Sequence, residues 1–360
     1  AGCHQPVATI LIPIFSDRCK SMDACDFPKN RDFPLVAGDS LKVLHGAWAL
    51  AQKTFSEVQN SLTGSLHSAV RTVILSGSIG RMEQLHYSDC DLMVILEEDT
   101  LKDTRLATDA FQSVWRIVSS IGLGQPESDG IFSTPTSQAE LCDESTLGHI
   151  DEDMFIFGKR FQLLLDSQPV IGDRAFDELL QAILMRYAKG DVSRGESREW
   201  MFLLNDLVRY FRSLSIRYQW YYLDRPDYWR LINLKFKHSR FIIYAGLLLL
   251  LGECSRHQDK FAWLAKRLHL TALERIAHVF ESHGDDGFQS VAVHYNEFLE
   301  CMSNEEFRTE LASPHPGHPS EHPAYSILEH TGAALRREIT RFVLGRKGQW
   351  SDRFMELLIF

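Results

Sequence analysis

The chain has 360 residues with 44% hydrophobic and 24% charged side chains, a composition that is typical of a globular protein and excludes the disordered and fibrous classes. A chain of this length can bury a sizeable core without disulfide or metal cross-links. The formal net charge of −10 argues against bulk binding to a nucleic-acid backbone, which needs a basic face, but leaves room for a small phosphate site.

The N-terminal half predicts a mixture of strands and helices. The apolar run Val7 to Phe15 predicts a strand before a polar loop, and Asp39-Ser40 is a plausible N-cap for a helix that ends near Leu62. Two stretches rich in Val, Ile and Leu, AVRTVILSGS and CDLMVILEE, predict strands on either side of a short loop. The further predicted elements are a helix over 101–121, a short strand or turn in DGIFSTPTS, a short helix over 137–143, helices over 153–165 and 174–187, and an extended link, DSQPVIGD, between those two helices.

From Ser197 onward the pattern is helical throughout. Two long apolar helices are predicted first, in SREWMFLLNDLVRYFRSLSIRYQWYYL and in YWRLINLKFKHSRFIIYAGLLLLLGEC. The run Phe241 to Gly252 in the second helix is too short to span a bilayer and predicts a buried helix. Further helices are predicted over 259–268, 272–282, 288–302, 327–344 and at the C-terminus.

This change of pattern predicts an α+β fold, in which an α/β domain with a small mixed sheet precedes an all-α helical domain. The composition shift at AKGDVSRGE places the boundary near 188–196. The expected parts are an unassigned extension over 1–38, the α/β domain over 39–190, the helical domain over 191–312, a Pro/His/Ser linker over 313–326, and C-terminal helices over 327–360 that pack on the helical domain.

Cysteine usage and the first residues bear on the compartment. Seven scattered cysteines without a CxxC pair predict neither a zinc site nor a disulfide framework, and reduced thiols fit a cytoplasmic protein. The opening AGCHQPVATILIPIF lacks a basic leader before a long apolar region, so no signal peptide and no membrane partner are expected.

One motif, LSGSIGRMEQLHYSDCDLMVIL, contains the candidate catalytic and ligand-binding residues. Side chains alternate in an extended strand, so Asp89 and Asp91 share one face and Cys90 points the other way. Two carboxylates this close repel unless a cation lies between them, and oxygen ligands suit Mg²⁺ (or Mn²⁺) bound together with phosphates. Gly77 lets the backbone approach a ligand, and Ser78 offers a hydroxyl and an amide to phosphate oxygens.

The arrangement resembles the nucleotidyltransferase superfamily that includes DNA polymerase β, the CCA-adding enzymes and the antibiotic nucleotidyltransferases. The shared pattern is an apolar residue before Gly-Ser, about ten residues, and Asp-x-Asp at a strand, which 75–78 and 88–92 match. GIFSTPTSQAELC, KRFQLLLDSQPVIGD, LLNDLVRYFRS and WRLINLKFKHSR also look like segments of bacterial nucleotidyltransferases related to the PII uridylyltransferase, which extends the resemblance over about 70–250. Asp-x-Asp alone also occurs by chance in many loops.

The resemblance implies a third acid on a later strand, which would bind metal and help to activate the attacking hydroxyl. Asp129 is the first choice, with Glu127, Asp151 and Asp153 as rivals. Each of the four taken singly also fits an ordinary solvated loop acid.

Polar and basic residues on the two long helices form the expected second wall of the site. They recur at i, i+4 and i+7 on otherwise apolar helices: Asn205, Arg209 and Arg212 on the first helix, and Asn233, Lys237 and Arg240, preceded by Arg230, on the second. Arg binds phosphate through its planar fork, so these residues and Arg81 are candidate nucleotide ligands. Salt bridges to acids such as Asp206 and Glu253 explain the stripes equally well. The aromatic rings of Tyr210, Trp220 and Trp229 fit either base stacking or the core.

The predicted function is a Mg²⁺-dependent nucleotidyltransferase that moves a nucleoside monophosphate from an NTP to an acceptor hydroxyl and releases pyrophosphate. The acceptor is a protein side chain or a small molecule, and no residue pattern selects the base, with ATP as the first candidate. The alternative is a catalytically inactive regulatory protein that binds nucleotide in the same cleft. A helical interaction module whose α/β half is a bystander is the third possibility.

Overall fold

The computed structural model describes residues 26–35, 39–124, 130–189, 192, 198–314 and 318–359. The chain forms an α+β structure, in which one small mixed sheet and many helices are combined. The strands are β1 Val70–Leu75, β2 Leu92–Leu96, β3 Thr136–Ser137 and β4 Gln168–Ile171. The helices up to the end of the sheet region are α1 Lys42–Leu62, α2 Gly77–Gly80, α3 Thr104–Ser120, α4 Gln138–Cys142, α5 Met154–Asp166 and α6 Asp173–Ala188.

The described chain beyond residue 198 contributes helices and turns alone. They are α7 Met201–Asp224, α8 Pro226–Lys235, α9 Phe241–Cys254, α10 Lys260–Arg267, α11 Ala272–Ser282, α12 Phe288–Ser303, α13 Glu305–Leu311, α14 Pro323–Leu344 and α15 Asp352–Ile359. A π-helical turn, Phe236–Arg240, joins α8 directly to α9. In the described part of the chain, every helix is too short or too polar to cross a bilayer.

The sheet has the strand order β3-β2-β1-β4. The central strand β1 runs antiparallel to both β2 and β4, and the two-residue β3 pairs with β2 in parallel. The register pairs Leu75 with Leu92 and Val73 with Val94. This register brings the C-terminal end of β1 beside the N-terminal end of β2, so the segments that follow one strand and precede the other lie together.

The two faces of the sheet belong to different apolar clusters. Val73, Leu75, Leu92 and Val94 pack with residues of α1 and α3, whereas Ile74 and its partner Met93 join a larger cluster that continues through α5 and α6 into the helices after residue 198. Successive side chains of each strand point to opposite faces of the sheet, and both faces are buried. Both strands therefore consist largely of apolar residues.

Most predicted elements are confirmed, and the differences occur at element ends. The helix expected from Asp39-Ser40 begins instead at Lys42, after a 3₁₀ turn. Its first free amides, those of Val43 and Leu44, donate to the Asn296 side chain of α12 at 3.1 and 3.0 Å, so the cap comes from a distant helix.

Two further expectations need correction. The extended link DSQPVIGD contains a true strand, β4, which pairs with β1. The expected linker over 313–326 is partly regular, because α14 begins at Pro323 with the His322 side chain accepting from the amide of Ala324. The strand predicted over Val7 to Phe15 lies outside the described residues.

Candidate functional site

The Gly-Ser turn lies directly against the second carboxylate. β1 ends at Leu75, and the amide of Ser76 donates to the backbone oxygen of Asp91 at 2.8 Å. Gly77 then takes a left-handed conformation with φ +65°. A Cβ atom at this position would lie 2.1 Å from Asp91 Oδ2, so glycine is required both by the backbone conformation and by the close approach.

Asp89 and Asp91 project from the extended segment before β2, and both line the same cleft. Cys90, between them, is buried in the cluster on the opposite side, as alternation predicts. Burial raises the pKa of the Cys90 thiol to about 12, and the adjacent carboxylates of Asp91 and Asp89 add to the shift. The thiol therefore stays protonated and acts as a core residue.

The cleft is open to one side and has a volume of about 150 Å³. On one side it is lined by the Gly77-Ser78 turn and the two aspartates, and on the other by residues of α8, the π-helical turn and α12. The residues contributed from the second side are Lys235, Ser239, Arg240, Phe298, Leu299 and Met302. Asp89, Asp91, Lys235 and Arg240 thus line one opening together with the paired Arg81 and Glu83 and several apolar side chains.

The positive charge near the Asp91 carboxylate is too small to offset its burial and the neighbouring acids. Burial raises the pKa of Asp91 to about 6; the cations of Arg240 and Arg81 oppose this shift, whereas the acids Asp166 and Asp89 reinforce it. Within the described residues, neither Asp89 nor Asp91 has a Lys or Arg nitrogen within 4.0 Å. A cation bound between the two carboxylates would relieve this deficit.

The donor set matches the ligand preference of Mg²⁺. No group of three or more His, Cys, Asp and Glu side chains in the described ranges is arranged to hold a metal ion. Mg²⁺ is usually held by one or two carboxylates and completed by substrate phosphates and water. Asp89 and Asp91 therefore fit Mg²⁺ that binds together with a phosphate group.

Arg81 is the centre of a buried ion network under the turn. Its Nε donates to Glu83 Oε2 at 2.7 Å and its Nη1 to Asp166 Oδ2 at 2.5 Å. Met82, between Arg81 and Glu83 in the chain, has a positive φ of 63°, which is uncommon for a residue with a side chain. Asp166 is fully buried at the end of α5. Arg81 lines the cleft, but two of its three nitrogens donate to protein carboxylates. Its main role is therefore to stabilise the Gly77-Ser78 turn.

The π-helical turn explains why Lys235 lines the cleft. An α-helix places residues three and four apart on one face, whereas a π-helix bonds residues five apart. Lys235 and Arg240 are five apart across the turn, and both reach the cleft. Desolvation lowers the pKa of the Lys235 ammonium, and the neighbouring Asp89 and Asp91 oppose that shift.

The other predicted basic residues lie elsewhere. Lys237 donates to the Tyr325 hydroxyl and to Glu329 Oε1, both at 2.7 Å. Arg209 lies over the Phe157 ring and donates to the backbone oxygen of His149 at 3.2 Å. Arg212 is exposed on α7. Of the predicted helical cations, the structure brings Arg240 to the cleft and adds Lys235.

Of the predicted third acids, the two that the structure describes, Asp151 and Asp153, do not line the cleft. Asp129 and Glu127 lie outside the described residues. Asp153 caps α5 by accepting from the amides of Phe155 and Ile156, and Asp151 is exposed in a turn. Sequence reasoning missed Asp166, which is the last residue of helix α5 rather than part of a strand and is recognised only through its contact with Arg81.

The aromatic residues considered for base stacking are mostly structural. Tyr210 stacks on Phe161 with ring centroids 5.3 Å apart, and Trp229 is buried and stacks on Tyr325 at 5.5 Å. Trp220 is 69% exposed on α7. None of the three lines the cleft that holds Asp89 and Asp91.

Comparison with known proteins adds no family to this geometry. No protein-family model matches the chain, and a search of curated proteins finds no match.

Proposed function

We propose that this protein is a Mg²⁺-dependent nucleotidyltransferase, which transfers a nucleoside monophosphate from an NTP to an acceptor hydroxyl. One observation carries the proposal: a single cleft combines the Gly77-Ser78 turn, the unpaired Asp89 and Asp91, and two cations from the helical part of the chain. In the reaction, the acceptor oxygen forms a bond to the α-phosphorus, the bond to the bridging oxygen breaks, and pyrophosphate leaves with that electron pair.

The residues divide this work by position. Asp89 and Asp91 would hold Mg²⁺, which supplies charge stabilisation on the phosphates when it is bound. Ser78 lines the cleft, where its hydroxyl would donate to a phosphate oxygen. Lys235 and Arg240 offset the charge of the leaving pyrophosphate from the opposite wall. Leu299 and Met302 provide an apolar surface for a base or an acceptor.

The proton of the acceptor hydroxyl needs a base, and the described residues offer the carboxylates of the cleft for this role. Asp91 has a pKa of about 6 and is mostly ionised at neutral pH. Asp129, the acid predicted for this step, lies outside the described residues.

The proposal is tested by incubating the protein with each of the four α-labelled NTPs and Mg²⁺, with and without cell lysate. Pyrophosphate release and a labelled product are expected from the wild type and not from Asp89→Asn or Asp91→Asn. The matched control is Asp109→Asn, since Asp109 is a largely exposed acid on α3, far from the cleft lining. Absence of both products with all four NTPs refutes the proposal.

A second candidate, a regulatory protein that binds nucleotide without turning it over, is favoured by one observation. Besides Asp89, the acid whose charge acts on Asp91 is Asp166. The Asp166 carboxylate is fully buried and paired with Arg81. Such an acid is not free to bind a metal or accept a proton. Nucleotide binding without pyrophosphate release in the same assay would support this candidate.

A further inference from the structure

The cleft is built from two walls that are far apart in sequence. The first, here called the turn wall, comprises Gly77 to Glu83; the second, here called the π wall, comprises Lys235 to Arg240. Each wall carries part of the proposed phosphate site, so the distance between them decides whether both can hold one triphosphate. Helix α12 contacts both walls and also lines the cleft through Phe298, Leu299 and Met302.

Tyr295 connects α12 to the turn wall. Its side chain is fully buried, and its hydroxyl donates to Glu83 Oε2 at 2.8 Å. The same oxygen accepts from Arg81 Nε at 2.7 Å, and Arg81 in turn holds Asp166. Buried hydrogen bonds to a charged group are stronger than neutral ones and polarise one another, so this chain of contacts fixes the turn wall against α12.

The next turn of α12 connects to the π wall. The Phe298 ring lies close to parallel to Tyr295, at 5.8 Å and 23°, and stacks on His238 at 4.2 Å and 6°. His238 is fully buried inside the π-helical turn, with Nδ1 2.8 Å from the backbone oxygen of Leu234. The Ser239 side chain, on the same turn, lies near the Tyr295 phenol. The stacked pair of Tyr295 and Phe298 therefore connects the two walls, with Tyr295 bonded to the turn wall and Phe298 packed on the π wall.

We propose that Tyr295 is a positioning residue that fixes the turn wall relative to the π wall and thereby sets the affinity of the cleft for a triphosphate. The effect on triphosphate affinity rests on the proposed function. The coupling of the two walls through Tyr295 does not. Tyr295 touches neither the two carboxylates nor the two cations, and it acts through Glu83 and the π-helical turn.

The coupling is tested without nucleotide by hydrogen exchange of Tyr295→Phe. Removing one hydroxyl should speed exchange at least about fivefold in both 76–85 and 235–243, since the first segment loses its bond to Tyr295 and the released ring can shift against Phe298, which packs on His238 of the second. The matched control is Tyr187→Phe: Tyr187 is equally buried and donates to Asp206 Oδ2 at 3.0 Å, but it lies between α6 and α7. Faster exchange in one wall only, or the same change in Tyr187→Phe, overturns the coupling.

The functional part is tested with ATP and Mg²⁺ by titration and by steady-state pyrophosphate release. Loss of the hydrogen bond should weaken ATP binding and raise KM roughly tenfold, while kcat changes less than about threefold, because the reacting groups stay in place. Tyr187→Phe should leave both constants within about twofold of the wild type.

The outcomes separate the two ideas. If the wild type does not bind any NTP, the proposed function fails, and the exchange experiment still decides the coupling. If the wild type binds ATP and Tyr295→Phe binds it equally well, the positioning role is refuted. Should Tyr295→Phe not fold, Ser239→Ala is compared by hydrogen exchange without nucleotide, because Ser239 itself lines the cleft and its effect on ATP affinity is not diagnostic. Faster exchange in both 76–85 and 235–243 is expected, and unchanged exchange in 76–85 counts against the coupling.

Discussion

The contact between Gly77 and Asp91 allows a controlled test of the site. In Gly77→Ala the new Cβ would lie 2.1 Å from Asp91 Oδ2, 3.0 Å from its Cγ and 3.2 Å from its Cβ. Rotation of the carboxylate alone does not relieve three such contacts, so Asp91 must shift by about 1 Å. Gly64 supplies the matched control, because it has a similar φ of +76° and no atom within 4 Å of a built Cβ.

Both substitutions force an L side chain into the left-handed region, which costs roughly 1–2 kcal/mol of folding free energy each. This shared cost should appear for both variants in urea unfolding. Only Gly77→Ala should also lose function: a misplacement of about 1 Å can reduce a rate on the order of 100-fold, equivalent to about 2.7 kcal/mol in the barrier.

The assay is Mg²⁺-dependent pyrophosphate release at saturating NTP, beside the urea midpoint of each variant. Gly64→Ala should retain the wild-type rate despite its lower stability. Equal rates for the two variants would refute the view that the turn holds Asp91 in place. A loss of rate in both, in proportion to stability, would show that only folding is affected.

Further predictions concern the second wall, pH and the cation. Lys235→Met should weaken ATP binding by about tenfold, whereas Lys237→Met should change it less than twofold, as measured by titration; the reverse order would favour the helical stripe read from the sequence. Burial lowers the pKa of His238, His269 and His278 to about 4 each, so the unfolded chain binds more protons between pH 6.5 and 4. Stability should therefore fall as pH is lowered through that window, by up to about 3 kcal/mol for His238 alone, and urea midpoints of wild type and His238→Gln at pH 7.5 and 5 measure its share. A pH dependence that is the same in both proteins would contradict this. ATP should bind more weakly in EDTA than in Mg²⁺, and equal affinity would speak against Asp89 and Asp91 as cation ligands.

The central motif was predictable because it depends on local geometry. Strand alternation alone places Asp89 and Asp91 on one face and Cys90 on the other, and the structure has this arrangement. The apolar runs on both sides of the motif gave β1 and β2, whose antiparallel pairing brings Gly77 against Asp91. A spacing of about ten residues is sufficient for this, since the connection only has to return to the neighbouring strand.

The second wall was predicted less well because a helical period was assumed throughout. The π-helical turn shifts the register of α9 against α8, so Lys235 rather than Lys237 lies beside Arg240 in the cleft. Helical periodicity in the sequence does not signal such a turn. The pairing of Arg81 with Asp166, 85 residues away, and the capping of α1 by Asn296 depend on tertiary contacts that leave no periodic trace.

The charges that remain unpaired in the cleft argue that cation and nucleotide bind as a unit. Arg81 is already paired with Glu83 and Asp166, which leaves Asp89 and Asp91 against Lys235 and Arg240. A triphosphate alone would gain from the two cations but would meet the two carboxylates across a cleft of about 150 Å³. A divalent cation alone would meet the opposite conflict with Lys235 and Arg240. Only the pair brings opposite charge to each wall, so under the proposed function these four side chains favour joint binding of the metal and the nucleotide.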